Sequence, residues 1–309
     1  MCTDSFWRSN HYELKAKFEE VMKLRAAGPS VAVLLAAAAL LSPAASANAA
    51  AGDTYVALGD SYTAGPNVAP TARSAPSGCA RSAVNYPHLV ASTLGLRLED
   101  RSCTGAKTEN VTTTAQFPDQ PPQLTALTST TKVVTLGIGG NDNNTFRDVV
   151  AACIAADSLT PVGTPCKDAY GSTFADQIHA DAAVIGAAIA KIHQIAPVAQ
   201  VFVVGYPAIL PRDGGCYPQV PITDGDAAYV DGIETELNTV LRDQSRLNNA
   251  VFVDTYNPSL GHDACQPVGT RWVEPVVPGQ KAATLHPNAA GMQADAVAVT
   301  AAIRNSRTS

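Results

Sequence analysis

Early in the chain lies Val56-Ala57-Leu58-Gly59-Asp60-Ser61-Tyr62-Thr63-Ala64-Gly65, an apolar run that breaks at a glycine and leads to a serine. The apolar part is typical of a strand buried on both faces of a parallel sheet. A serine hydroxyl is inert at neutral pH unless a base removes its proton and donors stabilise an oxyanion. Ser61 is therefore a candidate nucleophile whose partners must come from elsewhere in the chain.

Apolar segments of strand length alternate with segments of helical spacing along the rest of the chain. Strands are predicted at 54–58, 96–100, 132–138, 200–204 and 250–254. Helices are predicted at 85–94, 144–156, 174–196, 223–248 and from 286–288 to about 305, with loops at 153–172 and 256–283. This alternation predicts a five-stranded parallel sheet between two helical layers, a three-layer α/β/α sandwich that forms one domain over 50–309.

The carboxyl ends of parallel strands meet at one edge of the sheet, and ligands bind there. Ser61, Gly105 and Asn141 each follow a predicted strand, so we expect them to gather at that edge. Long loops at 66–83, 156–172, 206–223 and 256–283 are expected to wall the site. Their apolar and aromatic residues suit either an acyl chain or loop packing: Tyr206, Ile209, Leu210, Tyr217 and Trp272.

Histidine is the side chain whose ordinary pKa suits proton transfer near neutrality. Five histidines follow residue 50, and three of them (His88, His179 and His193) lie in predicted helices. His262 is adjacent to Asp263, but neighbours in a turn seldom pair as base and orienter. His286 stands at a loop-to-helix junction and is the best candidate for the base.

The N-terminal part has the pattern of an export signal. A short basic start at 22–25 precedes an uninterrupted apolar run at 31–41, and small residues at 45–49 fit an A-x-A cleavage rule. Residues 22–49 are predicted to be a signal peptide. The acidic stretch 1–21 is predicted to be an upstream extension that is not translated, because we expect translation to begin at Met22. The apolar run is too short to span a bilayer comfortably, so we expect a secreted protein without a stable membrane anchor.

Six cysteines follow the predicted signal, and an even number in an exported chain favours three disulfides. Fifteen pairings are possible, and pairing nearest neighbours places each bridge across a loop-rich stretch: Cys79–Cys103, Cys153–Cys166 and Cys216–Cys265. A metal site is the weaker alternative, because no C-x-x-C or cysteine–histidine ligand spacing occurs.

Composition excludes several classes of function. The net charge is −6, and no cluster of basic residues provides a positively charged surface for binding nucleic acid. The chain lacks a G-x-S-x-G elbow, a dinucleotide-binding glycine pattern, a Walker lysine and an H-E-x-x-H motif. We therefore expect no cofactor, no metal and no nucleic-acid partner, and we expect a monomer.

Four blocks of this sequence resemble, in order, those of the GDSL or SGNH hydrolase family. They are Gly59-Asp60-Ser61-Tyr62, Gly105 after Cys103-Thr104, Gly139-Gly140-Asn141-Asp142, and His286-Pro287-Asn288. The resemblance spans about residues 54–306. The cysteines and the export signal look most like the secreted lipases, esterases and phospholipases A1 of Streptomyces-type bacteria.

The resemblance implies a flavodoxin-like fold and a serine ester hydrolase. It implies that Ser61 is the nucleophile and His286 the general base. The oxyanion hole would be formed by the backbone N–H groups of Ser61 and Gly105 and the side-chain amide of Asn141. Asp60 and Asp142 are expected to hold their turns by accepting backbone hydrogen bonds.

One block departs from the family pattern, which commonly has an aspartate three residues before the histidine. That position is Ala283 here, and no acid lies between Glu274 and His286. Some secreted members use a backbone carbonyl instead, so we expect a Ser61–His286 dyad with the carbonyl of Thr284 or Ala283 as the third group.

The favoured function is a secreted lipase or esterase, possibly a phospholipase A1, that cleaves carboxylic esters through an acyl-Ser61 intermediate. A carbohydrate deacetylase or an acyltransferase on the same fold is the alternative within this chemistry. A non-catalytic secreted binding protein is the alternative from another class.

Overall fold

The computed structural model describes residues 50–277 and 282–306. The predicted upstream extension at 1–21 and the predicted signal peptide at 22–49 lie outside the described residues.

Five parallel strands form one sheet in the order β2-β1-β3-β4-β5. The strands are β1 (Thr54–Gly59), β2 (Arg97–Asp100), β3 (Val133–Gly137), β4 (Gln200–Val204) and β5 (Val251–Val253). This is the flavodoxin-like order, in which the direction of winding reverses between β1 and β3. The predicted fold class is confirmed, and each strand lies within about one residue of its expected place.

Nine α-helices connect and flank these strands in the described part of the chain. They are α1 (Ser61–Ala64), α2 (Tyr86–Leu94), α3 (Thr108–Thr112), α4 (Thr145–Leu159), α5 (Pro165–Tyr170), α6 (Thr173–Ile195), α7 (Asp224–Leu247), α8 (Tyr256–Ser259) and α9 (Ala289–Asn305). Among the described residues, no helix is both long and apolar enough to cross a membrane.

Alternate residues of β1 point to opposite faces of the sheet and so belong to two separate cores. Val56 and Leu58 pack with the buried apolar residues of α4, α6 and α7. Tyr55 and Ala57 pack with those of α2 and α9. The sheet is therefore covered by helices on both faces, which explains why its central strands are apolar on both sides.

The segment 153–172, predicted to be a loop, instead contains the end of α4 and the whole of α5. Pro165 occupies the first turn of α5, where its missing N–H costs nothing. The carboxylate of Asp226, on α7, accepts hydrogen bonds from the backbone N–H groups of Cys166 (2.7 Å) and Lys167 (2.9 Å). A distant helix therefore caps α5, and local sequence carries no sign of it.

The structure contains the disulfides Cys79–Cys103, Cys153–Cys166 and Cys216–Cys265. The first joins the loop after α1 to the segment after β2, and the second joins α4 to α5. The third links the segment after β4 to the segment after α8. Each bridge braces a connection at the rim of the sheet.

Close packing at the end of β1 requires glycine at position 59. A Cβ atom there would lie 2.6 Å from the carbonyl oxygen of Gly137 on β3. Gln123 hydrogen-bonds both the N–H (2.7 Å) and the carbonyl (2.9 Å) of Gly59. The end of β1 is therefore fixed by β3 and by the Gln123 side chain, and Ser61 begins α1 at the reversal point of the sheet.

Candidate active site

Ser61 and His286 meet at the carboxyl edge of the sheet although 225 positions separate them. The Ser61 Oγ lies 2.8 Å from Nε2 of His286. Asp60 fixes the serine turn from the N-cap position of α1, because its Oδ1 accepts the N–H of Tyr62 at 2.9 Å. The serine and the histidine singled out in the sequence are thus within hydrogen-bond distance.

The other ring nitrogen of His286, Nδ1, lies 2.7 Å from the carbonyl oxygen of Thr284. A carbonyl can only accept, so the hydrogen is on Nδ1 and the lone pair is on Nε2, facing the serine. Of the two carbonyls expected from the sequence, that of Thr284 makes this contact. The carbonyl of Ala283 accepts the backbone N–H of His286 instead, at 3.1 Å.

Burial lowers the pKa of His286, and the hydrogen bond to the Thr284 carbonyl raises it by a smaller amount. The imidazole is therefore neutral at pH 7 and able to accept a proton. Both ring nitrogens have partners, and neither partner is a carboxylate.

The loop that carries His286 is fixed by backbone hydrogen bonds on both sides. Leu285 donates to the carbonyl of Glu274 at 2.9 Å, and Glu274 donates to the carbonyl of His286 at 3.0 Å. Leu285 has φ 57°, in the left-handed region that leucine rarely adopts. Asn288 then caps α9 by accepting the N–H groups of Ala290 and Gly291.

Two backbone N–H groups and one side-chain amide face the same cavity as Ser61. In the described part of the chain, the N–H groups of Ser61 and Gly105 have no hydrogen-bond partner. The amide nitrogen of Asn141 donates one hydrogen to the carbonyl of Ala106 at 3.1 Å, which leaves its second hydrogen free. Gly105 has φ 78°, a conformation that suits glycine. These three groups are the donors expected from the sequence.

A tyrosine that the sequence singled out only as a possible wall residue connects two of these turns. The Tyr206 hydroxyl donates to Oδ2 of Asp60 at 2.5 Å and accepts the N–H of Gly140 at 3.0 Å. Burial raises the pKa of Asp60 to about 7, against the lowering effect of the Tyr206 hydrogen bond. The turns that carry Ser61 and Asn141 are thus held together through one hydroxyl.

The cavity over Ser61 has a volume of about 500 Å³, within the usual range for small-molecule sites. Its lining includes Ser61, Gly105, Asn141 and His286, together with an apolar wall from the first three turns of α4. We call this the α4 wall: Phe146, Val150, Ala151 and Ile154. Arg147 lies beside it and pairs with Asp148 at 3.0 Å.

The sequence left open whether five loop residues line an acyl site or pack the loops, and one of the five lines the cavity. Tyr206 lines the cavity, but Ile209 and Leu210 are buried in the core. Trp272 stacks on His262 at a ring distance of 3.9 Å, and Tyr217 is 63% exposed. The α4 wall takes their place because α4 begins directly after the turn that holds Asn141 and Asp142.

The remaining histidines lie away from the cavity, as the sequence suggested. Nδ1 of His88 contacts Oδ1 of Asn85 at 2.6 Å, and His179 pairs with Glu236 at 3.4 Å. His193 is on α6 and His262 stacks on Trp272. Over the described residues, no group of three histidine, cysteine or acidic side chains is arranged to hold a metal ion.

Sequence reasoning missed Tyr62 and most of the α4 wall. The Tyr62 hydroxyl donates to the carbonyl of Leu285 at 2.6 Å, and its ring centroid is 4.9 Å from that of His286. Nothing in the sequence indicates this contact. The wall did leave a signal, because Phe146, Val150 and Ile154 recur at the i, i+4, i+8 spacing of one helix face.

Residues 57–294 match the model of the GDSL-like lipase/acylhydrolase family. The chain belongs to this family. The match confirms the family and the enzyme class, an ester hydrolase, that the four sequence blocks predict.

Several known proteins are similar to this chain over most of their length. Lipase 2 of Streptomyces coelicolor is 44% identical over 241 residues, which cover 77% of this chain and 81% of the relative. The lipase of Streptomyces rimosus is 31% identical, with 85% of this chain and 89% of the relative covered. Among solved structures, phospholipase A1 of Streptomyces albidoflavus NA297 has a TM-score of 0.67 and 27% identity, covering 83% of this chain and all of that one.

Proposed function

We propose that this chain is a secreted serine esterase that hydrolyses carboxylic esters of lipids through an acyl-Ser61 intermediate. The observation that carries the proposal is the 2.8 Å contact between Ser61 Oγ and His286 Nε2 in a cavity with an apolar wall. The family membership supports the ester chemistry. The roles of the individual residues are inferred from their geometry.

In the first half of the reaction, Nε2 of His286 takes the proton of Ser61 as Oγ attacks the ester carbonyl carbon. Negative charge moves to the carbonyl oxygen, where the N–H groups of Ser61 and Gly105 and the amide of Asn141 stabilise it. Such donors act most strongly on charge that appears only in the transition state. The imidazolium then gives its proton to the leaving alcohol, and the acyl group remains on Ser61.

In the second half, water replaces the alcohol. His286 accepts a proton from the water, whose oxygen attacks the acyl carbon, and the same donors hold the second oxyanion. The imidazolium returns the proton to Ser61 Oγ as the fatty acid leaves, so the enzyme is regenerated. The Thr284 carbonyl keeps the hydrogen on Nδ1 throughout and orients the ring, although it stabilises imidazolium less than a carboxylate would.

The α4 wall supports an acyl chain as the part of the substrate that enters the cavity. Phe146, Val150 and Ile154 present carbon surface beside Ser61. Burying each methylene of a chain there contributes about 0.8 kcal/mol. An acetyl group would leave most of this wall unused, which favours a lipid ester over an acetylated carbohydrate. The names of the similar proteins, two lipases and a phospholipase A1, agree with this choice.

Two further features belong to the proposal. Three disulfides are typical of proteins that fold in an oxidising compartment, which supports export. The nucleophile, the base, the carbonyl and the oxyanion donors all come from one chain, so the site is complete in a monomer.

Labelling with a fluorophosphonate tests the nucleophile. We expect the adduct to map to Ser61 and to be absent from Ser61→Ala. Circular dichroism checks that both proteins are folded. No labelling of the folded wild-type protein would favour a non-catalytic binding protein.

A series of p-nitrophenyl esters from acetyl to palmitoyl, with phosphatidylcholine and acetylated xylan beside it, tests the substrate class. We expect kcat/KM to rise with chain length beyond acetyl and fatty acid to be released from the lipid. Preference for the acetylated sugar would support a deacetylase instead. Transfer of the acyl group to an added alcohol in dilute solution, in preference to water, would support an acyltransferase.

A further inference from the structure

We propose that Tyr62 is a positioning residue for His286, which holds the loop of the base against the turn of the nucleophile. This inference rests on the proposed Ser61–His286 dyad. It assigns to a neutral hydroxyl part of the orienting task that a buried carboxylate performs in a triad.

The contact between Tyr62 and the histidine loop has two parts. The Tyr62 hydroxyl donates to the carbonyl oxygen of Leu285 at 2.6 Å. Leu285 is the residue between Thr284 and His286. The Tyr62 ring centroid is 4.9 Å from the imidazole centroid, with 33° between the planes. One side chain therefore touches the backbone and the ring of the segment that carries the base.

The backbone conformation of Leu285 is unfavourable and must be stabilised by contacts of this kind. Its φ of 57° disfavours leucine because the side chain crowds the following carbonyl. Strained residues of this kind persist only when the surroundings impose the conformation. The Leu285 N–H donates to Glu274 at 2.9 Å, and its carbonyl accepts from Tyr62. Both backbone polar groups of this strained residue thus have fixed partners, although they lie in two successive peptide units.

Tyr62 is itself firmly placed. It directly follows Ser61 on α1, and its N–H donates to Asp60 at 2.9 Å. Its ring contacts that of Tyr206 edge to face at 4.9 Å. Burial raises the pKa of the Tyr62 hydroxyl well above its ordinary value, so the hydroxyl remains a donor at any working pH.

These contacts couple the nucleophile to the base. If the Leu285 carbonyl turned away, the peptide units on both sides would turn with it, which would displace the Thr284 carbonyl and the His286 ring together. The result would be a loss of alignment between Nε2 and Ser61 Oγ, while the α4 wall would be unchanged. The loss should therefore affect kcat and leave KM nearly constant.

Tyr62→Phe tests the inference because it removes the hydroxyl and keeps the ring. The matched control is Tyr55→Phe, which removes a buried hydroxyl that contacts Thr135 at 2.8 Å on the face of the sheet covered by α2 and α9. Activity on p-nitrophenyl butyrate is normalised to the sites that a fluorophosphonate titrates to completion, so a partly folded sample still gives the kcat of folded molecules. The rate constant of that labelling is the second readout.

We expect Tyr62→Phe to lower kcat and the labelling rate constant by about 10- to 100-fold, the cost of a small misplacement of reacting groups, with KM within about twofold. Tyr55→Phe should retain both rates. Wild-type kcat per titrated site in Tyr62→Phe, or equal losses in the two variants, would overturn the inference. His286→Ala in the same assay separates this outcome from a failure of the dyad itself, since full activity there would refute the proposed function.

Discussion

The carboxylate of Asp142 accepts two hydrogen bonds from Thr108, one from the backbone N–H at 2.7 Å and one from the hydroxyl. Asp142 follows Asn141 in the turn after β3, and Thr108 begins α3 shortly after Gly105. This pair therefore helps to set the distance between two segments that each carry a proposed oxyanion donor. Burial raises the pKa of Asp142, and the hydrogen bonds from Thr108 oppose this effect.

Asp142→Ala should lower both stability and turnover. The buried N–H and hydroxyl of Thr108 would lose their acceptor, at a cost of about 1–3 kcal/mol of unfolding free energy. Because the Gly105 and Asn141 segments would keep only part of the contact that aligns them, we expect kcat to fall about 10- to 100-fold with little change in KM. Urea unfolding and steady-state kinetics measure the two effects. Asp119→Ala, at an exposed carboxylate, is the control, and equal kcat in the two variants would contradict the coupling.

Asn141→Ala should lower kcat by about 10²–10³-fold, the usual loss when one oxyanion donor is removed. KM should change little, because the donor acts on charge that develops after binding. The melting temperature should be close to that of the wild type, since the amide makes one hydrogen bond, to Ala106. A fall in kcat of less than threefold in a folded variant would argue that Asn141 lies outside the oxyanion hole.

The acid limb of the pH–rate profile should lie below the ordinary histidine pKa of about 6.5. Burial lowers the pKa of His286, so the neutral base persists as the pH falls through 6.5 and is lost only at lower pH. Asp60, with a pKa of about 7, is a second group near the site that could titrate in this range. We expect the same limb in the wild type and in Asp60→Asn, measured as kcat/KM from pH 4.5 to 8. If the wild type instead showed an acid limb near pH 7 that disappeared in Asp60→Asn, that limb would be assigned to the Asp60 carboxylate.

Val150→Trp should shift the chain-length preference towards short esters. The indole would occupy space along the α4 wall, so kcat/KM for a p-nitrophenyl decanoate should fall at least about tenfold relative to the acetate, the loss expected for two or more methylenes of burial. Val184→Trp, at a half-exposed position on α6, controls for the added bulk. An unchanged ratio of long-chain to short-chain activity would place the acyl chain elsewhere.

Asp295 should make the protein less stable as the pH rises. It is buried on α9, its side chain has no hydrogen bond or ion pair within the described residues, and burial raises its pKa to about 8. The folded state then holds a proton that the unfolded state releases near pH 4, so this group removes stability between about pH 4 and 8.

Asp295→Asn should therefore melt about 2–4 °C above the wild type at pH 9, the shift that ~1 kcal/mol produces in a domain of this size. The difference should shrink at pH 5, where the carboxyl is neutral. Thermal unfolding at both pH values measures it, with Asp243→Asn at an exposed site as the control. A difference of equal size at both pH values would indicate a packing effect rather than titration.

The sheet and the gathering of Ser61, Gly105 and Asn141 at its edge could be predicted because their signals are local. The strand that ends at Gly59 is apolar throughout, and the glycine is required by the nearby carbonyl of Gly137. Parallel strands bring their carboxyl ends together, so Ser61, Gly105 and Asn141 could be grouped without coordinates. The missing acid at position 283 indicated a carbonyl acceptor, although only coordinates could distinguish Thr284 from Ala283.

What the sequence did not indicate depends on contacts between distant segments. Helix α5 is capped by Asp226, 60 positions away, and a composition rich in proline and glycine concealed it. Tyr206 joins Asp60 to Gly140, and Tyr62 reaches Leu285, through single hydroxyl groups. The α4 wall shows helical spacing, but which face it presents to the site follows from the path of the preceding turn.

The carbonyl of Thr284, 2.7 Å from Nδ1 of His286, affects the formal charge of the site. With a peptide oxygen in place of a carboxylate, the groups proposed to react (a hydroxyl, a neutral imidazole and amides) carry no formal charge at rest. In the proposed mechanism, imidazolium and oxyanion appear together and vanish together. Dissolved ions have no lasting charge to screen at this centre. We therefore expect the rate of the chemical step to change little with the ionic strength of the medium.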